Sequence, residues 1–348
     1  MTSEQEADLL AWYAKSARDL PWRRTRELYP VLVSELMLQQ TTVAAVIPLY
    51  HRFMRRFPDL GSLAQASPDA VMEAWSGLGY YSRAKRLHQS AQLLEQAEQM
   101  PTSLGELLEL PGLGPYTAAA VASIALGLPH LALDTNALRV LLRLYGWETR
   151  ADKGSVADAL RRKVEQGLPG SDFGQTNQAI MELGATLCRV KTPECKACPL
   201  ARHCQAKALA AQDRIPVPKP RKKPRTTPAK AYLVGSGQAF VLVRGTSLGL
   251  LSDLFGPPID FGAENSSASP LTPLLEWLRS QQGNPAERSL GYAISGRRLE
   301  IEILRFERPG FDLTLLEQAQ SCGVQVGLWP TNSGLALSSL ARKILKVG

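Results

Sequence analysis

The sequence predicts a mainly α chain, in which an all-α region of residues 1–213 precedes a smaller α+β domain. Apolar residues recur at helical spacing through most of residues 1–213, with Pro or Gly at most breaks. After residue 229 the pattern changes to short runs rich in β-branched and aromatic residues, which is typical of strands. With 348 residues, the chain is long enough to bury two separate cores.

The elements follow in order along the chain. The acidic amphipathic start, MTSEQEADLLAWYAK, predicts a first helix. Helical spacing predicts further helices at 31–56, 69–75, 80–98, 114–126, 134–145, 155–166 and 174–187. In the second domain, residues 230–348, strands are predicted within AKAYLVGSG (229–237), AFVLVRG (239–245), LGYAIS (290–295) and RLEIEILRF (298–306). Helices are predicted there near 271–281, 312–320 and 335–346.

A basic linker is predicted between the two regions. Residues 214–229, RIPVPKPRKKPRTTPA, contain five prolines, six basic residues and no acidic one. They carry most of the net charge of +8, because the rest of the chain is nearly balanced. The segment is expected to be extended, either as a solvated tether or as one that also contacts phosphates.

Composition also bounds the cellular setting. No apolar run is long enough to span a bilayer, and the N-terminus lacks the charged-then-apolar order of a signal peptide. Clustered thiols without a secretion signal indicate a reducing compartment. We therefore expect a cytoplasmic protein without a membrane partner.

Four of the five cysteines lie close together in sequence. Cys188, Cys195, Cys198 and Cys204 have the spacing C-x6-C-x2-C-x5-C. One short loop can wrap four soft ligands around one centre, so this spacing is typical of a metal site. Either a zinc ion or an iron–sulfur cluster fits such a loop.

A glycine hairpin lies upstream of the cysteines, in LELPGLGPYTAAAVASIAL (108–126). Gly112 and Gly114 predict a tight turn, and Pro115 suits the first position of the helix that follows. The free N–H groups of that helix start can receive a phosphate. An ordinary αα-hairpin without a ligand is the alternative.

Together these features resemble the helix-hairpin-helix DNA glycosylase superfamily, whose type member is endonuclease III. Within it, the chain is most similar to the MutY-type adenine DNA glycosylases. The motifs that carry the resemblance are RDLPWR (18–23), SELMLQQTTV (34–43), WSGLGYYSRA (75–84), the hairpin, LDTN (133–136), NQAIMELGATLC (177–188) and the cysteine quartet. The resemblance covers about residues 1–210.

The resemblance implies a two-lobed catalytic region that binds DNA in the cleft between its lobes. A six-helix lobe is expected at about 22–130, and a cluster lobe from 1–21 and 131–213. The four cysteines would hold a [4Fe–4S] cluster in the second lobe. Residues 230–348 would form a Nudix-like domain.

Two carboxylates are implied as the catalytic pair. Glu35 lies in an apolar helix, where burial would raise its pKa and let it act as a general acid; a solvent-facing helix glutamate is the alternative. Asp134 is predicted as the N-cap of a helix over 135–145 and as the stabiliser of a developing sugar cation. Asn136 would orient the site. This chain has Asp-Thr-Asn where the family run is Asp-Gly-Asn.

Tyr116 indicates which chemistry is absent. In bifunctional relatives a lysine at this point attacks the sugar as an amine nucleophile. Here the run is GPYTA, and no lysine occurs between Lys85 and Lys153. We therefore expect base removal without efficient strand cleavage, with Tyr116 beside the catalytic centre.

The resemblance also assigns the DNA contacts. The extruded adenine would be bound by Arg18, Trp22, Arg23, Leu38, Val43 and Glu182. The duplex and the opposite base would be contacted by Gln39, Gln40, Thr41, Leu78, Tyr80, Gly112 and Gly114. In the second domain the family's recognition hairpin usually bears Phe-Ser-His, whereas this chain has Ile294-Ser295-Gly296, which leaves Ser295 as the one remaining contact.

These assignments predict a monofunctional adenine DNA glycosylase of base excision repair. Its partner would be double-stranded DNA with adenine opposite 8-oxoguanine or guanine, and it would act as a monomer at the nucleoid. Two alternatives stay open: a related glycosylase that removes mispaired thymine or another base, and a catalytically silent damage-binding protein.

Overall fold

The fold was obtained as a computed structural model. It describes residues 1–219 without a break and, beyond them, 225–236, 239–244, 255–262, 269, 271–280, 284–294, 297–307, 320, 326–330 and 337–347. The chain divides into two compact units. The first unit comprises Met1–Ala74 and Arg83–Arg221, and the second comprises Trp75–Ser82 and Lys222–Gly348.

Residues 1–219 are almost entirely helical. The helices are α1 (Ser3–Ser16), α2 (Leu28–Leu38), α3 (Val43–Arg56), α4 (Leu60–Ala64), α5 (Pro68–Ala74), α6 (Ser82–Gln96), α7 (Leu104–Leu108), α8 (Pro115–Ile124), α9 (Thr135–Tyr145), α10 (Gly154–Gln166), α11 (Phe173–Thr186) and α12 (Gln205–Ala208), with a 3₁₀ turn at Pro21–Arg23. The helix predicted at 31–56 is wrong as a single element. It breaks between α2 and α3, where Gln40 adopts a left-handed backbone with φ +56°.

Two helices form the centre of the first lobe. In α2 every residue from Val31 to Met37 is buried, and in α8 every residue from Thr117 to Ile124 is buried. A helix that is apolar on all sides belongs inside a protein. α2 packs against α3 and α8, and α8 also packs against α7 and α11. A carboxylate on α2 is therefore placed in the interior.

The second lobe combines residues from both ends of the first unit. One core contains Leu9 of α1, Leu141 of α9, Leu160 of α10, Ile180 of α11 and Ala206 of α12. The chain thus leaves this lobe after α1 and returns to it with α9. Among the described residues, no helix is long and apolar enough to cross a membrane.

The second unit contains a mixed sheet with a helix on each face. Its described strands are β1 (Arg225–Ser236), β2 (Ala239–Arg244), β3 (Phe255–Gly256), β4 (Ile259–Asp260), β5 (Asn284–Ile294), β6 (Arg297–Glu307) and β7 (Val326–Pro330), in the order β3-β2-β1-β6-β5, with β4 paired to β1 and β7 to β2. β1 and β6 are parallel, and the other pairs are antiparallel.

Alternation along β1 explains the two covered faces. Ala231 and Leu233 pack with α14 (Ser339–Val347), whereas Tyr232 and Val234 pack with α13 (Thr272–Ser280). The α+β prediction is confirmed. β1 begins at Arg225, inside the segment predicted as linker, because Arg225 pairs with Arg297 of β6 and extends the ladder. Of the helix predicted at 312–320, only Gln320 is described.

Candidate active site

A cleft of about 900 Å³ opens in the first unit, lined by α2, α8, α9 and α11. The sequence-predicted residues that line it are Arg18, Trp22, Arg23, Glu35, Leu38, Gln39, Gln40, Thr41, Val43, Gly112, Gly114, Tyr116, Asp134 and Asn136. These positions are spread over more than a hundred residues of sequence, and the fold brings them together around one cleft. The cleft has ample room for a single nucleobase.

Glu35 is buried on α2, with 6% of its surface exposed. Its Oε2 accepts a hydrogen bond from the Tyr116 hydroxyl at 2.9 Å. Burial raises the pKa of Glu35 to about 7, and the charge of Asp134 adds to this, while Tyr116 and Arg23 oppose it. A sizeable fraction of this carboxyl is therefore protonated at neutral pH, as a general acid requires.

Tyr116 reaches Glu35 because of the hairpin before it. Gly112 has φ +90°, and a Cβ there would lie 3.0 Å from Cβ of Arg86 and 3.3 Å from Cδ2 of Leu36, so only glycine fits without displacement. Pro115 then begins α8 at its first position. Burial, and next the neighbouring carboxylates, raise the pKa of Tyr116 well above 10, so the hydroxyl remains a hydrogen-bond donor.

Asp134 is the N-cap of α9, as predicted. Its Oδ1 accepts from the backbone N–H of Ala137 at 2.6 Å, and its Oδ2 accepts from Nδ2 of Asn136 at 2.9 Å. Burial raises the pKa of Asp134, although these hydrogen bonds oppose the shift. Thr135 is exposed at the cleft, so the departure from glycine leaves the capping geometry intact.

The side chain of Asn136 is held in place by Arg139. Arg139 donates through Nη2 to Oδ1 of Asn136 and to the Gly184 carbonyl, each at 2.9 Å, and through Nε to the Cys188 carbonyl at 2.9 Å. A Cβ on Gly184 would lie 2.7 Å from Cβ of Asn136. α9 and α11 therefore meet closely at Gly184, and a hydrogen-bond chain joins Asp134 to the backbone of the cysteine loop.

Glu182 does not line the cleft, in contrast to its predicted role in binding the base. It is fully buried, and its carboxylate accepts from Nε and Nη2 of Arg18 at 2.7 and 2.8 Å and from Nη2 of Arg23 at 2.8 Å. Burial would raise its pKa, but the hydrogen bonds from Arg18 and Arg23 outweigh burial and lower it. Glu182 thus holds two arginines at the cleft.

Gln178 and Met181 line the cleft and were missed from sequence. Oε1 of Gln178 accepts from the Tyr13 hydroxyl at 3.1 Å, and Sδ of Met181 lies 3.7 Å from the Tyr116 hydroxyl. Gln178, Met181 and Ala185 are spaced by three and four residues on one face of α11. That spacing, applied to the motif NQAIMELGATLC, could have identified them.

The Gln39–Thr41 turn lies at the mouth of the cleft. Nε2 of Gln39 donates to Oγ1 of Thr117 at 3.0 Å. The buried guanidinium of Arg83 donates to the carbonyls of Leu36, Met37 and Gln39 and to Oγ1 of Thr41. Arg83 therefore satisfies the free carbonyls at the end of α2 and holds the turn in place.

Two predicted DNA contacts, Leu78 and Tyr80, do not line the cleft. Leu78 and Tyr80 belong to the second unit, where Leu78 is buried and Tyr80 is 58% exposed with φ +47°. Ser295 lies outside the described residues.

The four cysteines of the quartet are free, half-buried thiols that line one small second cavity. Nη1 of Arg143 lies 3.5 Å from Sγ of Cys188. Burial raises the pKa of Cys198 to about 12, and the nearby thiols add to the effect. In the described part of the chain, no group of three or more His, Cys, Asp or Glu is arranged to hold a metal ion. The four thiols nevertheless line the same cavity.

Comparisons with known proteins agree with this fold. Residues 33–166 match the family model described as HhH-GPD superfamily base excision DNA repair protein. An adenine DNA glycosylase of Buchnera aphidicola subsp. Acyrthosiphon pisum is 35% identical over 253 residues, 71% of each chain. The adenine DNA glycosylase of Homo sapiens is 41% identical over 218 residues, which span 60% of this chain and 40% of the human protein.

Solved structures share the helical part. A thermostable thymine-DNA glycosylase superimposes with a TM-score of 0.53 at 26% identity, covering 59% of this chain and 97% of that one. Endonuclease III in a non-covalent DNA complex superimposes with a TM-score of 0.51 at 22% identity, covering 60% and 99%, and this likeness concerns the fold alone. The fold and cleft define the class as a helix-hairpin-helix base excision repair protein, which confirms the fold prediction. Within that class, the chain belongs to the adenine DNA glycosylase family.

Proposed function

We propose that this chain is a monofunctional glycosylase that removes adenine mispaired with 8-oxoguanine or guanine during base excision repair. The observation that carries the proposal is the buried Glu35 carboxyl, hydrogen-bonded to Tyr116 in a cleft that also contains Asp134. The relatives' names support adenine as the base. The 8-oxoguanine preference, the monomeric state and the nucleoid location remain part of this proposal.

The two carboxyl groups divide the reaction between them. With the base extruded into the cleft, the protonated Glu35 donates its proton to a ring nitrogen of adenine. The N-glycosyl bond then breaks, and its electron pair leaves with the neutral base. Asp134 stabilises the positive charge that develops on the sugar. Water adds to the anomeric carbon and gives up a proton, which restores the protonated Glu35.

Strand cleavage through an amine is not part of this activity. In the described chain no lysine lines the cleft, and Tyr116 occupies the hairpin position with its hydroxyl directed at Glu35. A phenol with a raised pKa is a poor nucleophile and forms no Schiff base. Borohydride should therefore trap no covalent adduct with DNA, and high-yield trapping would contradict the assignment.

The cysteine quartet fits a [4Fe–4S] cluster held by Cys188, Cys195, Cys198 and Cys204. Four soft donors line one cavity, and four Cys thiolates are the ligand set that a [4Fe–4S] cluster takes. The cluster would brace the loop rather than take part in base removal. Iron and labile-sulfide analysis, together with broad visible absorbance of the purified protein, tests this assignment against zinc.

Removal of thymine is the second candidate activity, because one of the solved structures with a similar fold is a thymine-DNA glycosylase that is 26% identical to this chain. Single-turnover cleavage on duplexes with adenine opposite 8-oxoguanine, guanine or cytosine, and with thymine opposite guanine, separates the two. We expect cleavage of the adenine duplexes and none of the thymine duplex. The Glu35→Gln variant, assayed beside the wild type, should be inactive. Equal turnover by both proteins would exclude acid catalysis by Glu35. No turnover by the wild type would indicate a damage-binding protein.

A further inference from the structure

Tyr13 lies behind two residues of the cleft without lining the cleft itself. Its hydroxyl donates to Oε1 of Gln178 at 3.1 Å. Its ring lies beneath the guanidinium of Arg23, whose Cζ is 5.5 Å from the ring centroid. Tyr13 is half-buried on α1 and packs against the core of the second lobe. One side chain therefore contacts two groups that line the cleft.

We propose that Tyr13 is a positioning residue that fixes the amide orientation of Gln178 and the plane of Arg23, and so sets which polar edge the extruded base meets. This inference rests on the proposed glycosylase function. Tyr13 acts through Gln178 and Arg23, and these two residues, not Tyr13, contact the base.

The amide of Gln178 has two different ends. Its oxygen accepts hydrogen bonds and its NH₂ group donates them, so a flip exchanges the pattern offered to a ligand. When the Tyr13 hydroxyl donates to Oε1, the NH₂ group is the end left for the cleft. Burial raises the pKa of Tyr13, so the hydroxyl stays a donor through neutral pH. The ring nitrogens of adenine are acceptors, which an NH₂ group matches and an amide oxygen repels.

Arg23 is held on three sides. Its Nη2 donates to Glu182, its Nη1 donates to the Arg18 carbonyl at 3.2 Å, and its face lies over the Tyr13 ring. A guanidinium over an aromatic ring gains both attraction and a fixed plane. Tyr13→Phe removes the hydroxyl and keeps the ring, whereas Tyr13→Leu removes both. The two variants therefore separate the effect on Gln178 from the effect on Arg23.

Tyr29→Phe is the matched control. The Tyr29 hydroxyl also makes a buried hydrogen bond, to the Phe57 carbonyl at 2.7 Å, but Tyr29 does not line the cleft. Both Tyr→Phe changes should lower thermal stability slightly. Tyr13→Phe alone should reduce the single-turnover rate or the affinity for an adenine–guanine duplex, by about three- to tenfold, the size expected for one hydrogen bond. Tyr13→Leu should reduce them further.

The mechanism is tested with a double-mutant cycle. If Tyr13 acts through Gln178, Tyr13→Phe should have no added effect in a Gln178→Ala background. Multiplicative effects of the two changes, or a Tyr13→Phe enzyme with wild-type rate and affinity, would overturn the proposal. A wild-type protein inactive on every adenine duplex would instead overturn the proposed function, and the two failures are thus distinct.

Discussion

Burial determines what Glu35 can do. A glutamate on a solvated helix face would be ionised at neutral pH, whereas this carboxyl is buried and has a pKa raised to about 7. Asp134, also with a raised pKa, keeps three hydrogen-bond donors that favour its ionised form. In the proposed mechanism, the same type of side chain serves as acid in one environment and as anion in the other.

The pH dependence of base removal follows from this difference. The active form carries a protonated Glu35, so the single-turnover rate should fall about tenfold per pH unit above pH 7. A rate profile at saturating enzyme over about pH 5–9 measures this. A rate that stays flat up to pH 9 would mean that Glu35 is not the acid.

Tyr116→Phe should move that profile. The hydroxyl of Tyr116 donates to the Glu35 carboxylate and lowers its pKa, against the larger effect of burial. Without this hydrogen bond the pKa of Glu35 rises, and the fall in rate should begin at higher pH. A shift to lower pH would contradict the geometry, while an unchanged profile would show that the hydrogen bond is not made in the DNA complex.

Glu35 should also lower the stability of the folded chain at high pH. Its pKa is 4.5 when unperturbed and about 7 when folded, so the folded state binds more protons between these values and stability falls as the pH rises through them. Glu35→Gln cannot ionise and escapes this loss. Above pH 7 the variant should be more stable by on the order of 1–3 kcal/mol, whereas near pH 4 the two should be alike. Thermal unfolding at both pH values provides the comparison.

At the scale of elements, the contact between α9 and α11 positions Asn136, which is hydrogen-bonded to the Asp134 carboxylate. Gly184→Ala places a methyl group 2.7 Å from Cβ of Asn136, which must then move together with its hydrogen bond to Asp134. We expect a tenfold or greater loss of single-turnover rate, consistent with misplacement of a catalytic group. Gly105→Ala on α7 is the control, because its nearest atom is 3.9 Å away and alanine favours a helix. Equal rates for both variants would count against this role for the contact.

The cysteine loop is the second element whose integrity can be tested. Cys188→Ser removes one of the four proposed cluster ligands, together with the thiol that lies 3.5 Å from Nη1 of Arg143. We expect loss of iron and a melting temperature lower by about 10 °C or more. The fifth cysteine, Cys322, lies outside the described residues and outside the quartet's spacing, so Cys322→Ser serves as the control. Full iron content in Cys188→Ser would exclude it as a ligand.

Sequence patterns identified most helices but not their long-range constraints. Periodicity alone joins α2 and α3, because the guanidinium of Arg83, which donates to the α2 carbonyls, lies more than 40 residues away in sequence. The same limit applies to Glu182. Its motif indicated importance, yet only the fold reveals that two arginines occupy its carboxylate and that Gln178, one turn earlier, faces the cleft. Residue type can be read locally, whereas orientation depends on packing.

For the whole molecule, the net positive charge is concentrated in the linker, residues 214–229. Residues 1–213 contain 23 basic and 22 acidic residues, so any basic surface there is local, whereas the linker carries most of the net positive charge. Two of its cations already pair with acidic side chains, Arg214 with Glu148 and Lys219 with Asp152. Arg221, Lys222 and Lys223 carry the remaining consecutive run of charge in the sequence.

Neutralising that run tests whether the linker is only a tether. Each phosphate contact contributes about 0.9 to the slope of log affinity against log salt, so the triple Gln variant of Arg221, Lys222 and Lys223 should lower the slope by up to about 2–3. Its single-turnover rate at saturating enzyme should equal that of the wild type, because saturation removes the effect of weaker DNA binding on the observed rate. Arg214→Gln should change the slope less, since its charge is already paired. An unchanged slope in the triple variant would leave the linker as a solvated tether and would place the phosphate contacts on the catalytic region itself.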